Sequence, residues 1–270
     1  MRIAFLGGGN MASALIGGLL KKGVDASRIS VVEVSPAARE RLAALHGVRA
    51  SDAPDAATQK SDTLVLAVKP HDLRPAAAAL AGSVHGKLVV SIAAGVRLDA
   101  LSRWLGGHRK LVRCMPNTPA LIGAGISGLY ALPEVSQDER KRTETILGAV
   151  GEVVWLTEER LLDPVTAVSG SGPAYVFWFM EQLAESAKKM GIPADAASKL
   201  ALHTVLGAAR LAAGSQESPA ELRKNVTSKG GTTEAALKVF DEEQLAQRFA
   251  RALEAASRRG ADIGAELGKA

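Results

Sequence analysis

One cysteine, Cys114, stands in a chain of 270 residues, which excludes an intrachain disulfide framework and any metal site built from cysteine alone, and suits a reducing cytosol. Aromatic residues are scarce as well. Five Phe, three Trp and two Tyr leave few platforms on which single-stranded bases could stack. Long apolar runs are missing too: charge or glycine interrupts each of them well before the ~20 residues of a bilayer span. Met1 leads into a strand-like run without a signal-peptide pattern, so neither membrane insertion nor secretion is expected, and the expected location is cytoplasmic. Nor does one sign of charge dominate. Thirty-three basic against 28 acidic residues give a net charge of +5. The signs alternate in Arg39-Glu40-Arg41 and Asp138-Glu139-Arg140-Lys141-Arg142, the pattern of solvated helix faces rather than of a nucleic-acid footprint.

What is present is an ordinary globular composition, 47% hydrophobic and 23% charged with 27 Gly and 11 Pro, long enough for one large domain or two unequal ones. The first seven residues, MRIAFLG, read as a buried strand, and a helix is expected from about Met11 to Lys22. Arg28–Val34 reads as a second strand. Ser35-Pro36 then supplies an N-cap with proline at the first helical position, and helix is expected to about Leu45. Strand-like runs recur at Thr63–Val68, Lys87–Ile92, Lys110–Cys114, Ile126–Leu132 and Glu152–Leu156. Their alternation with helices and glycine-rich turns predicts an α/β fold with a parallel, helix-covered sheet.

Beyond Leu156 the strand signals stop. Helices are expected at Pro173–Met190, Ala194–Ala213, Pro219–Asn225, Thr233–Phe240 and from Glu242 to about Leu267. The third opens on Ser218-Pro219-Ala220-Glu221, with the residues of a capping box in place. This change of character puts a domain border at 160/161, between an α/β domain (1–160) and an all-α domain (161–270). Ala174–Met180 is apolar on every face for about two turns, so it must be buried all round. Either its own domain or a partner subunit covers it.

Gly7-Gly8-Gly9-Asn10-Met11-Ala12 has the spacing Gly-x-Gly-x-x-Ala directly after the first strand, the context of a dinucleotide-binding loop. Gly7 permits the tight turn, Gly9 admits a pyrophosphate to the backbone, and Ala12 lets the helix pack on the strand. Glu33, about 20 positions on, stands where a carboxylate would accept from a ribose 2′-hydroxyl, which favours NADH. Ser35 and Arg39 form an opposing pair able to hold the 2′-phosphate of NADPH. The loops Ala67-Val68-Lys69-Pro70 and Ser91-Ile92-Ala93-Ala94-Gly95 end strands and should face the same ligand. Asn117, framed by Pro116 and Pro119, is a candidate contact, although turns also recruit asparagine locally.

Ser169-Gly170-Ser171-Gly172 and Val226 to Thr233 read as flexible hydroxyl-rich loops before helices. The second could wrap a small carboxylate with backbone N–H groups and hydroxyls. No metal cluster or nucleophile–base pair stands out, so the chemistry is assigned to a bound cofactor.

The segments FLGGGNMASALIGGL, LAVKPHDL, SIAAGV, RCMPNTPALIGAG, SGSGPAY and NVTSKGGTTEAAL follow one another along nearly the whole chain. In that order they resemble those of the 1-pyrroline-5-carboxylate reductases, enzymes of the last step of proline biosynthesis. The resemblance implies an N-terminal Rossmann-type doubly wound sheet, then an all-α dimerisation domain that interlocks with a second subunit, and often a ring of dimers. It implies hydride transfer from NADPH or NADH to a cyclic imino acid. The cofactor would lie on Gly7, Gly9, Asn10, Met11, Ala12, Ala67, Lys69, Pro70, Ala93, Ala94, Asn117 and Asn225. The substrate would lie on Val226, Ser228, Gly230, Gly231, Thr232 and Thr233, with the Thr233 hydroxyl near the ring nitrogen. Two positions depart from the family pattern: Lys229 replaces a common proline, and Glu33-Val34 replaces the asparagine and arginine frequent in NADPH users. The alternatives are a β-hydroxyacid dehydrogenase-like enzyme, which would need a lysine on the central helix, and a non-enzymatic NAD(P)-sensing protein.

Overall fold

The computed structural model describes residues 1–269. Its eight strands are β1 (Ile3–Leu6), β2 (Ile29–Val32), β3 (Arg49–Ser51), β4 (Thr63–Leu66), β5 (Leu88–Ser91), β6 (Leu111–Met115), β7 (Gly125–Ala131) and β8 (Gly151–Trp155). They form one sheet in the order β3-β2-β1-β4-β5-β6-β7-β8. β1 is central, flanked in parallel by β2 and β4, with Ile3 beside both Ile29 and Thr63. The wholly parallel sheet expected from the alternation is corrected at one seam: β7 runs antiparallel to β6, and β8 follows β7 in parallel. Strand β3 was not anticipated. Three residues, none fully buried, carry too little periodicity to be seen in the sequence.

Each face of the sheet has its own core, because alternate strand residues point to opposite sides. Ile3, Phe5, Val65 and Val90 face one cluster with Leu15, Ile16 and Leu19 of α1 (Asn10–Lys21), Leu42 of α2 (Pro36–His46) and Ile146 of α6 (Gln137–Leu147). Ala4, Leu6, Leu64 and Leu66 face the other, with Leu73, Ala77 and Leu80 of α4 (Pro70–Leu80) and Leu98 and Leu101 of α5 (Leu98–Trp104). Two short helices, α3 (Ala56–Gln59) and α7 (Leu162–Val165), also occur along the chain, and helices on both faces explain why the parallel strands read as unbroken apolar runs.

The chain divides into two compact units, which part at Ser171 and Gly172. The first contains the sheet, and the segment from Glu254 onward rejoins it. That return is the second half of α12 (Leu245–Lys269). Leu267 packs on the second core cluster and Arg103 donates to the Gly268 carbonyl at 3.1 Å. The second unit, Gly172–Leu253, is helical: α8 (Gly172–Lys189), α9 (Ala194–Ala213), α10 (Pro219–Asn225) and α11 (Thr232–Glu242), then the start of α12. The capping box at α10 forms as its spacing predicts: Ser218 Oγ accepts from the Glu221 amide at 3.3 Å, and Glu221 Oε2 accepts from the Ser218 amide at 2.8 Å. No helix among the described residues is long and apolar enough to cross a membrane.

Helix α8 is not an intrachain core. Phe177 is 64% exposed and Trp178 59% exposed, and Val176 and Phe179 stand out beside them. Ala187 is its one buried residue, and Tyr175 meets Phe249 edge to face at 6.3 Å. Nothing among the described residues covers the aromatic face, the kind of apolar patch that marks an interaction surface.

Candidate functional site

Strand β1 delivers the chain to Gly7, whose φ of +99° suits only glycine. A Cβ there would stand 2.8 Å from the backbone carbon and oxygen of Ala67, so the glycine loop and the Ala67-Val68 strand end lie directly against each other. Gly9 caps α1 without a side-chain hydrogen bond, and a Cβ on it would meet nothing within 4 Å. The helix start at Asn10, Met11 and Ala12 thus has open space beside Gly9 and the helix dipole behind it, a seat that fits a pyrophosphate. Ala12 is buried at 1% exposure, the close helix–strand contact its small side chain allows.

Glu33 follows β2, and its carboxylate is held on both oxygens: Oε2 accepts from the Gly8 amide at 2.7 Å and Oε1 from the Ser35 amide at 2.8 Å. Beside it, Arg39 Nη1 donates to the carbonyls of Glu33 (2.7 Å) and Val34 (2.9 Å), and Arg41 Nη2 donates to the Gly8 carbonyl at 3.3 Å. The Ser35 hydroxyl accepts from the Ala38 amide at 3.4 Å as the N-cap of α2. Glu33, Ser35 and Arg39 thus surround one end of the glycine loop. The carboxylate is oriented by two amides, and the guanidinium is partly engaged with backbone.

Val68, Lys69 and Pro70 lead from β4 into α4, with exposed Lys69 at the cap position and Pro70 at the first helical one. On the loop after β5, Ala93 is buried and Ala94 exposed. A buried ionic cluster that the sequence did not reveal anchors this loop. Arg97 donates to Asp163 at 2.8 Å, and Glu159 accepts from both the Leu98 amide (2.8 Å) and Arg113 (3.2 Å). Arg113 is 3% exposed, and the one signal was a cation inside an apolar strand run. Asn117 Oδ1 accepts from the Ile126 amide at 2.9 Å, so its carbonyl closes the loop locally.

Asn225 and the residues Val226 to Thr233 belong to the second unit, the other predicted positions to the first. Asn225 Nδ2 donates to both carboxylate oxygens of Glu217 at 3.1 Å, and Val226 is exposed. Ser228 to Gly231 form a turn closed by the Gly231 amide on the Ser228 carbonyl at 3.0 Å. The Gly230 amide donates to Glu234 Oε2 at 2.6 Å. The amides of Gly230 and Gly231 thus both have partners inside the loop. Thr232 and Thr233 remain, in the first turn of α11, whose N-cap Gly231 provides no side-chain bond. Glu234 was also missed, though its spacing, three residues after the cap, is that of a reciprocal capping acid.

The segment Ser169 to Gly172 is not a flexible loop. Thr166–Gly170 winds into a π-helical turn, with the Ser171 amide on the Thr166 carbonyl at 2.8 Å, directly before α8. Ser13 Oγ and His46 Nε2 meet at 2.8 Å. This serine–histidine pair was also unforeseen, and burial holds the His46 pKa below its ordinary value. Cys114 is fully enclosed, and burial pushes its thiol pKa far up, so it is inert as a nucleophile.

These features agree with what the chain is similar to. The family described as pyrroline-5-carboxylate reductase dimerisation matches residues 159–263, and that described as NADP oxidoreductase, coenzyme F420-dependent, matches residues 2–95. A pyrroline-5-carboxylate reductase of Pseudomonas aeruginosa is 44% identical over 269 residues, covering 99% of this chain and 98% of that one. The solved pyrroline-5-carboxylate reductase of Coxiella burnetii superposes with a TM-score of 0.93 at 40% identity, covering 97% and 98% of the two chains. The pyrroline carboxylate reductase of Plasmodium falciparum, solved with NADP bound, superposes at 0.84 with 26% identity and 98% coverage of both. With identity of this order spanning both the sheet and the helices, the chain belongs to the pyrroline-5-carboxylate reductase family.

Proposed function

We propose that this protein reduces 1-pyrroline-5-carboxylate to L-proline with NADH or NADPH. The observation that carries the reading is the pairing, in one chain, of an open pyrophosphate seat at Gly9 with a hydroxyl-bearing helix start at Thr232 and Thr233. A bound reduced nicotinamide supplies the hydride, which adds to C5 of the C=N bond. The protonated imine is already electrophilic, so the side chains need to align, neutralise and hold a proton, with no covalent catalysis.

In this reading, Gly7, Gly9 and the amides of Asn10, Met11 and Ala12 bind the pyrophosphate. The small residues Ala67, Ala93 and Ala94, with Val68, Lys69 and Pro70, line the strand ends where the nicotinamide half is held. Asn117 and Asn225 stand on the cofactor side. The amides of Thr232 and Thr233 take the substrate carboxylate, with Val226, Ser228, Gly230 and Gly231 shaping the loop around it. The Thr233 hydroxyl accepts from the ring N–H, keeping the proton on nitrogen as the carbon is reduced.

NADH is the preferred donor on this reading, because a carboxylate fixed by Gly8 and Ser35 accepts from a ribose 2′-hydroxyl and repels a 2′-phosphate. NADPH remains usable through Ser35 and Arg39. The helical unit pairs two subunits through the aromatic face of α8, and the assembly works in the cytoplasm. The test is imine-dependent loss of reduced-nicotinamide absorbance with each dinucleotide. No turnover with either, in folded protein, overturns the proposal.

A further inference from the structure

We infer that Glu234 is a positioning residue for substrate, one that holds the Ser228–Gly231 turn in the shape that presents Thr232 and Thr233. The inference rests on the proposed reading of this loop as the substrate seat. Lys229 has a negative φ and Gly230 a φ of +74°, and the Gly231 amide closes on the Ser228 carbonyl. That sequence of angles defines a type II turn. Such turns are stiffened by proline at their second position, where its ring presets φ near −65°. This chain has lysine there, a residue with no such restraint, so the stiffness must come from elsewhere.

Glu234 supplies it. It occupies the third residue of α11, and its carboxylate reaches back past the cap residue Gly231 to the Gly230 amide at 2.6 Å. A charge-assisted bond of this length is among the stronger ones a side chain makes to backbone, and a carboxylate in the first turn also suits the helix dipole. The bond has a second effect. It removes the Gly230 amide from the donors open to a ligand, while the turn's own bond removes that of Gly231. Among the backbone donors from Gly230 to Thr233, a carboxylate arriving at the loop therefore meets the amides of Thr232 and Thr233, beside their hydroxyls. Register is set by what is withheld as much as by what is offered, since a carboxylate sliding onto Gly230 would carry the ring away from the Thr233 hydroxyl.

The experiment compares Glu234→Ala, Glu234→Gln, Glu234→Ala with Lys229→Pro, and Thr233→Ala in the full-length protein. KM and kcat are read for the cyclic imine, with hydrogen exchange at the Gly230 amide. Glu234 is exposed, so its substitution leaves the core intact. Glu234→Ala should raise KM for the imine about tenfold, equivalent to about 1.4 kcal/mol, with kcat within about threefold of wild type and Gly230 exchange accelerated. Glu234→Gln keeps an acceptor oxygen and should restore KM to near wild type. Adding Lys229→Pro to the alanine variant should recover most of the loss, because proline presets the turn that the carboxylate had held.

An unchanged imine KM in Glu234→Ala, alongside a lowered kcat/KM in Thr233→Ala, overturns the role of Glu234 and leaves the substrate loop standing. If neither variant alters imine kinetics, the loop reading itself fails and takes the inference with it. A tenfold effect that neither glutamine nor the added proline relieves assigns Glu234 some other part, and likewise overturns the positioning role.

Discussion

The carboxylate of Glu33 closes on the amide of Gly8 at 2.7 Å, across 25 residues of sequence. One bond joins the end of the second strand to the middle of the glycine loop, and the Ser35 amide holds the other oxygen. The acid is therefore built into the loop rather than free to swing aside. A phosphate arriving at this corner meets a fixed negative charge.

Replacing Glu33 by Gln removes that charge while keeping the size of the side chain. The NADPH/NADH ratio of kcat/KM should rise by a factor on the order of 10, for about 1.4 kcal/mol of relieved repulsion. Because one amide hydrogen of glutamine must then face a backbone N–H, both cofactors should also bind somewhat more weakly. Steady-state kinetics with each dinucleotide decide the matter: an unchanged ratio moves selectivity to Ser35 and Arg39.

Thr233→Ala deletes the one hydroxyl proposed to meet the ring nitrogen. Loss of a single such bond should cost about 1–3 kcal/mol, roughly a 5- to 150-fold drop in kcat/KM for the imine. Dinucleotide affinity, measured by fluorescence titration, should stay near wild type. A variant with wild-type kcat/KM would remove Thr233 from the mechanism.

The aromatic face of α8 predicts that the isolated chain does not persist as a monomer. Light scattering should show a dimer or a multiple of it at micromolar concentration, and Phe177→Glu with Trp178→Glu, at two exposed positions, should dissociate it with loss of activity. An active, monodisperse monomer would contradict the pairing.

Stability should fall on mild acidification. His108 is partly enclosed, and burial lowers its pKa from the ordinary 6.5, opposed in part by its 2.9 Å bond to the Lys87 carbonyl. His46 is lowered by burial too. A histidine with a depressed folded pKa takes up its proton first in the unfolded chain, so its contribution is complete above about pH 6.5 and is lost as pH falls toward the folded value. Urea midpoints followed from about pH 7 to pH 5 should decline, and His108→Gln should flatten the slope. An identical slope in the variant would assign the effect to other groups.

Much of the architecture was written locally. The apolar strand that opens the chain, the Gly-x-Gly-x-x-Ala turn after it, the serine and proline that start α2, and the Ser218–Glu221 box are short-range features. Their geometry follows from backbone sterics and from donors a few residues apart, so the chain itself determines them, as it determines the change from alternating strands to continuous helix. The whole-chain order of motifs carried the family in the same way.

Other features were decided only by folding. The reversal of β7 against β6 depends on which edges meet, and no residue in either strand encodes its direction. The return of α12 from Glu254 follows from Leu267 and Gly268 finding α5 and the second core cluster, contacts that span most of the chain. Competition among hydrogen-bond partners was settled at the same level. Sequence alone leaves the Gly8 amide without an assigned partner, Asn117 as a ligand contact or a local turn residue, and Arg113 as a cation inside an apolar run. Folding brings Glu33, Ile126 and the Glu159–Asp163 pair within reach of them, and buried or loop-closing groups take the partner that burial makes it costly to leave unpaired.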